Sequence, residues 1–162
     1  MSTLSTATRG LLQGRHYAAL ATLNKDGSMH LTPVWYLFEN ERLFVETASA
    51  SHKARNIRAR PQASLMIDIR QLGAERWVCG SGGARLIGGD QARELNLNIR
   101  RRYLTQAGLE DPRVGPVFAA ADDVTIELTP TAWRAWDLGS IDHQFFGGLL
   151  GKTPEKWFLP LD

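Results

Sequence analysis

Between residues 17 and 47 the chain leaves little choice of architecture. Three strand-length apolar runs, "YAALATL" (17–23), "MHLTPVWYLF" (29–38) and "LFVET" (43–47), are separated only by "NKDGS" and "ENER". Parallel neighbours need a crossover of about a dozen residues or more, so these runs must pair antiparallel. Asp26-Gly27 supplies the tight-turn chemistry of a hairpin. In the second run Leu31, Pro33, Trp35 and Leu37 alternate with His30, Thr32, Val34, Tyr36 and Phe38. Neither face is plainly polar, so both are expected to be covered.

The rest of the chain extends the meander. "ASLMIDI" from Ala63 reads as a fourth strand and "RWVCGSGGARLIG" as a fifth. The glycines of the fifth read as a bulge, because the full G-x-G-x-x-G of a dinucleotide site is missing. From Asp90 the period changes. Ala92, Leu95, Ile99 and Tyr103 recur at helical spacing, so the longest helix is expected at roughly 90 to 106 with Asp90 as N-cap. "GLEDPRVGP" reads as a loop and "DDVTIELTPTAWRAWDL" as a sixth strand. The expectation is a mainly β fold, a six-stranded antiparallel barrel or sheet with a few helices. Residues 1–162 form one domain in this reading, with 138–162 an irregular C-terminal tail. The apolar tail together with Trp133 and Trp136 is more aromatic surface than so small a barrel hides, which implies a homodimer.

Composition narrows the function classes. A net charge of +2 and the absence of a groove-reading motif argue against nucleic acid as a partner. The single cysteine, Cys79, has no disulfide partner in the chain, and no apolar run approaches a membrane span, so a cytoplasmic protein is expected. His16, His30, His52 and His143 show no metal-ligand spacing, and no metal is expected. Ser140, Asp142 and His143 lie close in sequence but not on a nucleophile elbow. With no evident acid–base pair, any reactive chemistry falls to a bound cofactor, for which the protein supplies orientation and electrostatics.

The segment "ETASASHKARNIRARP" (46–61) is where such a cofactor would be held. A strand ending in Thr47 and small residues turns into a helix carrying Lys53, Arg55, Arg58 and Arg60. One reading is a solvated cationic face. The other is a phosphate cradle: free N–H groups at the helix N-terminus, the dipole, Ser51 and Lys53 all favour an anion there.

Residues 20–68, with "DG", "TPVWY", "ET" and "KARNIR" before a proline, resemble the flavin and deazaflavin split-barrel superfamily related to pyridoxamine 5'-phosphate oxidase. "ELTPTAWRAWD" is similar to that superfamily's final strand, so the resemblance spans about residues 15 to 137. It implies a six-stranded split barrel and a homodimer with two cofactor sites at the dimer interface. It also implies that Ser51, Lys53 and Asn56 lie near the cofactor phosphate, with Thr47 and Ala48 at the strand end. The backbone of Pro33, Val34, Trp35 and Tyr36 would run beside the ring, and Trp133 and Trp136 would come from the partner chain. The paired Arg-Lys phosphate motif and the C-terminal substrate segment of true pyridoxamine phosphate oxidases are missing. The cofactor is FMN or the deazaflavin coenzyme F420, and Arg55, Arg58 and Arg60 could line a groove for the latter's acidic tail. The function implied is an FMN- or F420-dependent oxidoreductase acting on a small planar substrate, with Tyr36 or His143 as conceivable proton donors. The alternative is a flavin-binding carrier or sensor without turnover, in which the tail covers the ring.

Overall fold

The computed structural model describes residues 4–160. Helix α1 (Thr6–Gln13) opens it, capped by the Ser5 hydroxyl, which accepts from Thr8 N at 3.1 Å. Strands β1 (Ala18–Leu23), β2 (Met29–Val34), β3 (Leu37–Glu39) and β4 (Arg42–Thr47) lead to helix α2 (His52–Ala59). Strands β5 (Gln62–Ile69) and β6 (Arg76–Gly88) follow, then helices α3 (Gly89–Tyr103), α4 (Gln106–Glu110) and α5 (Gly115–Ala119). Strand β7 (Val124–Asp137) runs directly into α6 (Leu138–Phe146), α7 (Leu149–Lys152) and a 3₁₀ turn (Pro154–Lys156).

All strand pairs are antiparallel, in the order β2-β1-β5-β6-β7-β4-β3. The two edge strands, β2 and β3, are consecutive in the chain. The sheet therefore curls until its edges approach, and the chain steps from one to the other at Trp35–Tyr36. This is a split barrel with seven strands rather than the expected six, because the second apolar run divides at that step. Alternation alone could not show the division, since residues on both sides of it keep the period of a strand.

The inward face carries Leu20, Leu65, Ile67, Val78, Ile126 and Leu128, with Leu12 of α1 and Ile57 of α2 joining the same cluster. Outside the barrel, α3 lays Ala92 and Ile99 against Phe44 and Ile87. Arg100 fastens this layer. Its guanidinium donates to Glu46 at 2.5–3.1 Å and to Asp123 Oδ1 at 3.2 Å, and it reaches Phe118 O at 3.1 Å. The N-cap of α3 is Gly88 rather than Asp90, which instead sits in the first turn and pairs with Arg93. The segment expected as a loop after α3 contains the short helices α4 and α5.

The expected irregular tail is also corrected. Asp137 caps α6 by accepting from Gly139 N at 2.8 Å. The buried Asp142 carboxylate accepts from Leu150 N at 3.0 Å and Gly151 N at 2.8 Å, fixing the turn into α7. Gly147 and Gly148 occupy the left-handed region there (φ 63° and 78°), so they punctuate two helices rather than dissolve them.

The glycine-rich centre of β6 is a bulge site, as its composition suggested. Ser81 faces Ala132 and Gly82 faces Pro130, which leaves Thr131 extra on β7. A Cβ on Gly82 would stand 2.2 Å from Thr129 O and 2.8 Å from Thr131 N, whereas one on Gly83 meets nothing within 4 Å. Gly82→Ala is expected to cost about 1–3 kcal/mol by forcing backbone apart, and Gly83→Ala much less. Urea unfolding of the two variants checks this, and equal midpoints would contradict it.

Candidate functional site

The cradle is built where β4 gives way to α2. Thr47 ends the strand, Ser51 N donates to Ala48 O at 3.0 Å in a tight turn, and Ser51 Oγ caps the helix by accepting from Ala54 N at 3.1 Å. Thr47 Oγ1 and Ser51 Oγ lie 2.7 Å apart. Two hydroxyls that share one hydrogen bond leave one O–H without an acceptor, whichever of them donates. The amides of His52 and Lys53 also make no hydrogen bond among the described residues, as first-turn amides do. A spare hydroxyl proton and two free N–H groups thus meet at the positive end of a helix.

The cations of this segment divide into two kinds. Arg55 donates to Ala50 O at 2.6 Å and Arg58 to Ser49 O at 2.7 Å, while Ser49 N donates to Asp122 at 2.9 Å. Arg60 reaches Asn24 O at 2.9 Å and Lys25 O at 2.8 Å. These arginines brace the loop before α2 and the β1–β2 turn, and Arg55 and Arg58 do so with one guanidinium nitrogen each while staying exposed. Lys53 is different: it is half-buried, and among the described residues it has neither a hydrogen bond nor an acidic partner. Burial pulls its pKa below the ordinary lysine value. An anion is what this ammonium lacks.

Asn56 is buried, and both its amide protons are used, on Thr22 Oγ1 at 3.1 Å and Asn24 Oδ1 at 2.9 Å. It ties α2 to β1 and the adjoining turn. Beside it the rings of His30 and His52 stack at 4.4 Å with 15° between their planes. His30 is held below its usual pKa, first by desolvation and then by His52 and Lys53. On the same face of β2, the buried Thr32 hydroxyl has no partner. Asn24, His30 and His52 are site residues that sequence reasoning misses; the structure shows them through the β1–β2 register, which brings Thr22 opposite His30.

The Pro33–Tyr36 stretch spans the split. Pro33 is exposed on the outer face, Val34 is in the core, and Trp35 stacks on Tyr103 with centroids 5.0 Å apart. Trp35 and Tyr36 lie outside both flanking ladders, and Tyr36 N donates to the Tyr103 hydroxyl at 3.3 Å. The Tyr36 ring is fully buried, and its hydroxyl donates toward Leu12 O and Gly14 O, each at 3.0 Å. Burial pushes its pKa up to about 12. Tyr36 is therefore a structural phenol and not a proton donor to a ligand.

Trp133 lies within the barrel, edge-on to Phe38 at 6.1 Å and over Gly80. Trp136 pairs with Trp77 at the far end of β7, whose other end pairs with Thr47 beside α2. It lines a hollow of about 360 Å3 with Leu11, Trp77 and Ile141. His143 is on α6 next to Gly148, again remote from α2. Any contact of Trp136 or His143 with the cradle requires another chain.

Within one chain, the outer face of β2, β1, β5 and β6 is uncovered. Met29, Leu31 and Pro33 stand exposed beside Ala21, Leu23, Ser64 and Ser81, with Met29 and Leu31 60% and 65% exposed. A shallow depression of about 530 Å3 runs across these small residues.

Fold and site together define the class: a split β-barrel with an anion-receptive helix terminus at one end. The chain belongs to the pyridoxamine 5'-phosphate oxidase family, whose profile matches residues 4–137. No curated protein matches it. Among solved structures, the conserved hypothetical protein Rv2991 from Mycobacterium tuberculosis superposes with a TM-score of 0.70 at 23% identity, covering 86% of this chain and 88% of that one. A protein described as an F420 reductase gives a TM-score of 0.59 at 26% identity, over 78% and 94%. HutZ, a heme storage protein from Vibrio cholerae, gives 0.62 at 18%, over 85% and 96%. The first and third likenesses show the fold alone. No helix among the described residues is long and apolar enough to cross a membrane.

Tyr36 carries a pH prediction. Its folded-state pKa of about 12 lies above the ordinary value of 10.0, so its contribution is complete below about pH 10 and is lost as pH rises toward 12. The difference corresponds to about 2–3 kcal/mol. Unfolding free energies measured between pH 9 and pH 12 are expected to fall, and Tyr36→Phe to remove its share of that fall, leaving the share of Tyr103, whose pKa burial also raises. An identical pH dependence in the variant would contradict the assignment.

Proposed function

We propose that this chain is a dimeric oxidoreductase that holds a phosphorylated flavin-type cofactor, FMN or the deazaflavin coenzyme, at the N-terminus of α2. The observation that carries the reading is Lys53, a half-buried ammonium that among the described residues has no acidic partner, beside amides of His52 and Lys53 that find no acceptor there. The residues fit the group: Lys53, the spare hydroxyl of the Thr47–Ser51 pair and the two amides would hold its phosphate. Bound there, the cofactor supplies hydride chemistry that no side chain of this site offers. The protein's part is positional. Arg55, Arg58 and Asp122 brace the loop, Asn56 anchors the helix, and Pro33 to Tyr36 present backbone at the split. Membership of the family supports a flavin-type ligand, and similarity to an F420 reductase keeps the deazaflavin beside FMN.

The exposed face of β2, β1, β5 and β6 supports the dimer. Apolar residues as exposed as Met29 and Leu31, set among small side chains, suit a close sheet-to-sheet contact. A second copy seated there is also what would bring Trp136 or the α6–α7 region of one chain toward the cradle of another. Leu31→Glu is expected to shift the protein from dimer to monomer in sedimentation analysis. A dimer that survives the change would place the interface on another face.

The function itself is tested by the absorption spectrum of the purified protein and by titration of the stripped protein with each cofactor. Lys53→Ala is expected to weaken binding by about 1.5–3 kcal/mol, roughly ten- to a hundredfold in Kd. Tight FMN binding directs the search for turnover to oxygen and nicotinamide reductants, and selective deazaflavin binding to deazaflavin-dependent reduction. Cofactor binding without turnover in either system would make the protein a carrier or sensor. Binding of neither would return the cationic helix to a solvated face.

A further inference from the structure

The stacked pair of histidines at the mouth of the cradle is not used by the reading above. His52 is the first residue of α2, and its Nε2 lies 2.8 Å from Asn24 Oδ1. That oxygen also accepts from Asn56 Nδ2, while Asn24 Nδ2 donates to Ser28 Oγ at 3.0 Å. An amide oxygen has no proton to give, so His52 Nε2 must be the donor. Neutral His52 thus carries its proton on Nε2 and leaves Nδ1 basic. The tautomer is dictated by the network around the turn.

The groups facing the pair come from three elements. Lys53 and Arg55 lie on α2, Lys25 and Asp26 on the β1–β2 turn, and His30 itself on β2. Arg60 reaches the same turn. Asp26 is the one acidic group among them, and its Oδ1 accepts from Ser28 N at 3.0 Å and Ser28 Oγ at 2.7 Å, which turns it toward its own loop. Without a ligand, a proton added to the His30 ring meets Lys53 and the neighbouring ring. A phosphate beside Lys53 reverses that balance.

Resting on the cofactor reading above, we infer that the His30–His52 pair belongs to the anion site. It takes up a proton from solvent when a phosphorylated ligand settles at the N-terminus of α2, so affinity rises as pH falls from about 8 to about 6. The stacking limits the uptake to one proton for the pair, because two imidazoliums face to face would repel each other. The proton is accepted at His52 Nδ1 or on the His30 ring, and no bond between heavy atoms changes. The pair thereby favours a phosphate that can carry a second negative charge, as a monoester does, over a singly charged diester.

The test reads the rings directly. NMR titration of the His30 and His52 rings in the unmodified protein, with and without FMN, is expected to show one of them titrating about one pH unit higher when FMN is bound. FMN affinity relative to riboflavin, which has no phosphate, is expected to rise severalfold between pH 8 and pH 6, tenfold being the ceiling for a shift of about one pH unit. The rise should be lost in the double variant His30→Gln/His52→Gln, where only the opposing titration of the ligand phosphate remains. The ligand's own phosphate, which titrates near pH 6, acts in the opposite direction and cannot imitate the effect. If FMN binds in a Lys53-dependent way while both rings titrate unchanged, the inference fails and the cradle stands. If neither FMN nor the deazaflavin coenzyme binds, or Lys53→Ala leaves binding untouched, the cofactor reading fails and the role of the pair with it. The ring titration uses the unmodified chain, so poorly folding variants would not spare the idea.

Discussion

The fold depends on how the chain crosses from β2 to β3, the two edges of one sheet. At that step two residues leave the ladders, and their polar backbone must be satisfied away from any strand neighbour. Tyr36 makes the crossing possible. Its ring lies in the core, and its hydroxyl reaches carbonyls in and just after the last turn of α1. Tyr103 closes the outside by meeting Tyr36 N and stacking on Trp35. One aromatic plugs the split and another seals it, and both draw on residues remote in sequence.

From that closure the cradle inherits its position. Arg100 joins α3 to β4 and to the start of β7 through Glu46 and Asp123. One residue before Asp123, Asp122 receives Ser49 N from the loop that enters α2. The loop is thus held from one side by β7 and from the other by Arg55 and Arg58. A helix terminus so braced offers fixed donors, and fixed donors are what preorganised anion binding needs.

Much of the β meander was legible. The runs at 17–23 and 43–47, the Asp26-Gly27 turn, the helix after residue 89 and the bulge opposite the glycines of β6 each follow from local rules of period, turn chemistry and close backbone approach. The division at Trp35–Tyr36 was not legible, because hydrophobic alternation continues through it. Helices α4 to α7 were hidden by their short length and by Gly and Pro content. At Gly147 and Gly148 those residues mark helix boundaries. In the candidate site, Ser51 as N-cap and Lys53 in the first turn could be read from residue type and spacing. The roles of Arg55, Arg58 and Arg60 could not, since a guanidinium suits a phosphate and a carbonyl equally well until the backbone places one of them in reach.

By itself the sequence determined the antiparallel pairing, the cationic first turn of α2 and the kinship of residues 20–68, because these rest on connection length, composition and order along the chain. Tertiary structure alone decided which cation stays unpaired, which tyrosine is sealed from ligands and which histidines meet. Those outcomes depend on which polar groups from distant segments arrive first at each donor, and distance in space is not written in local pattern.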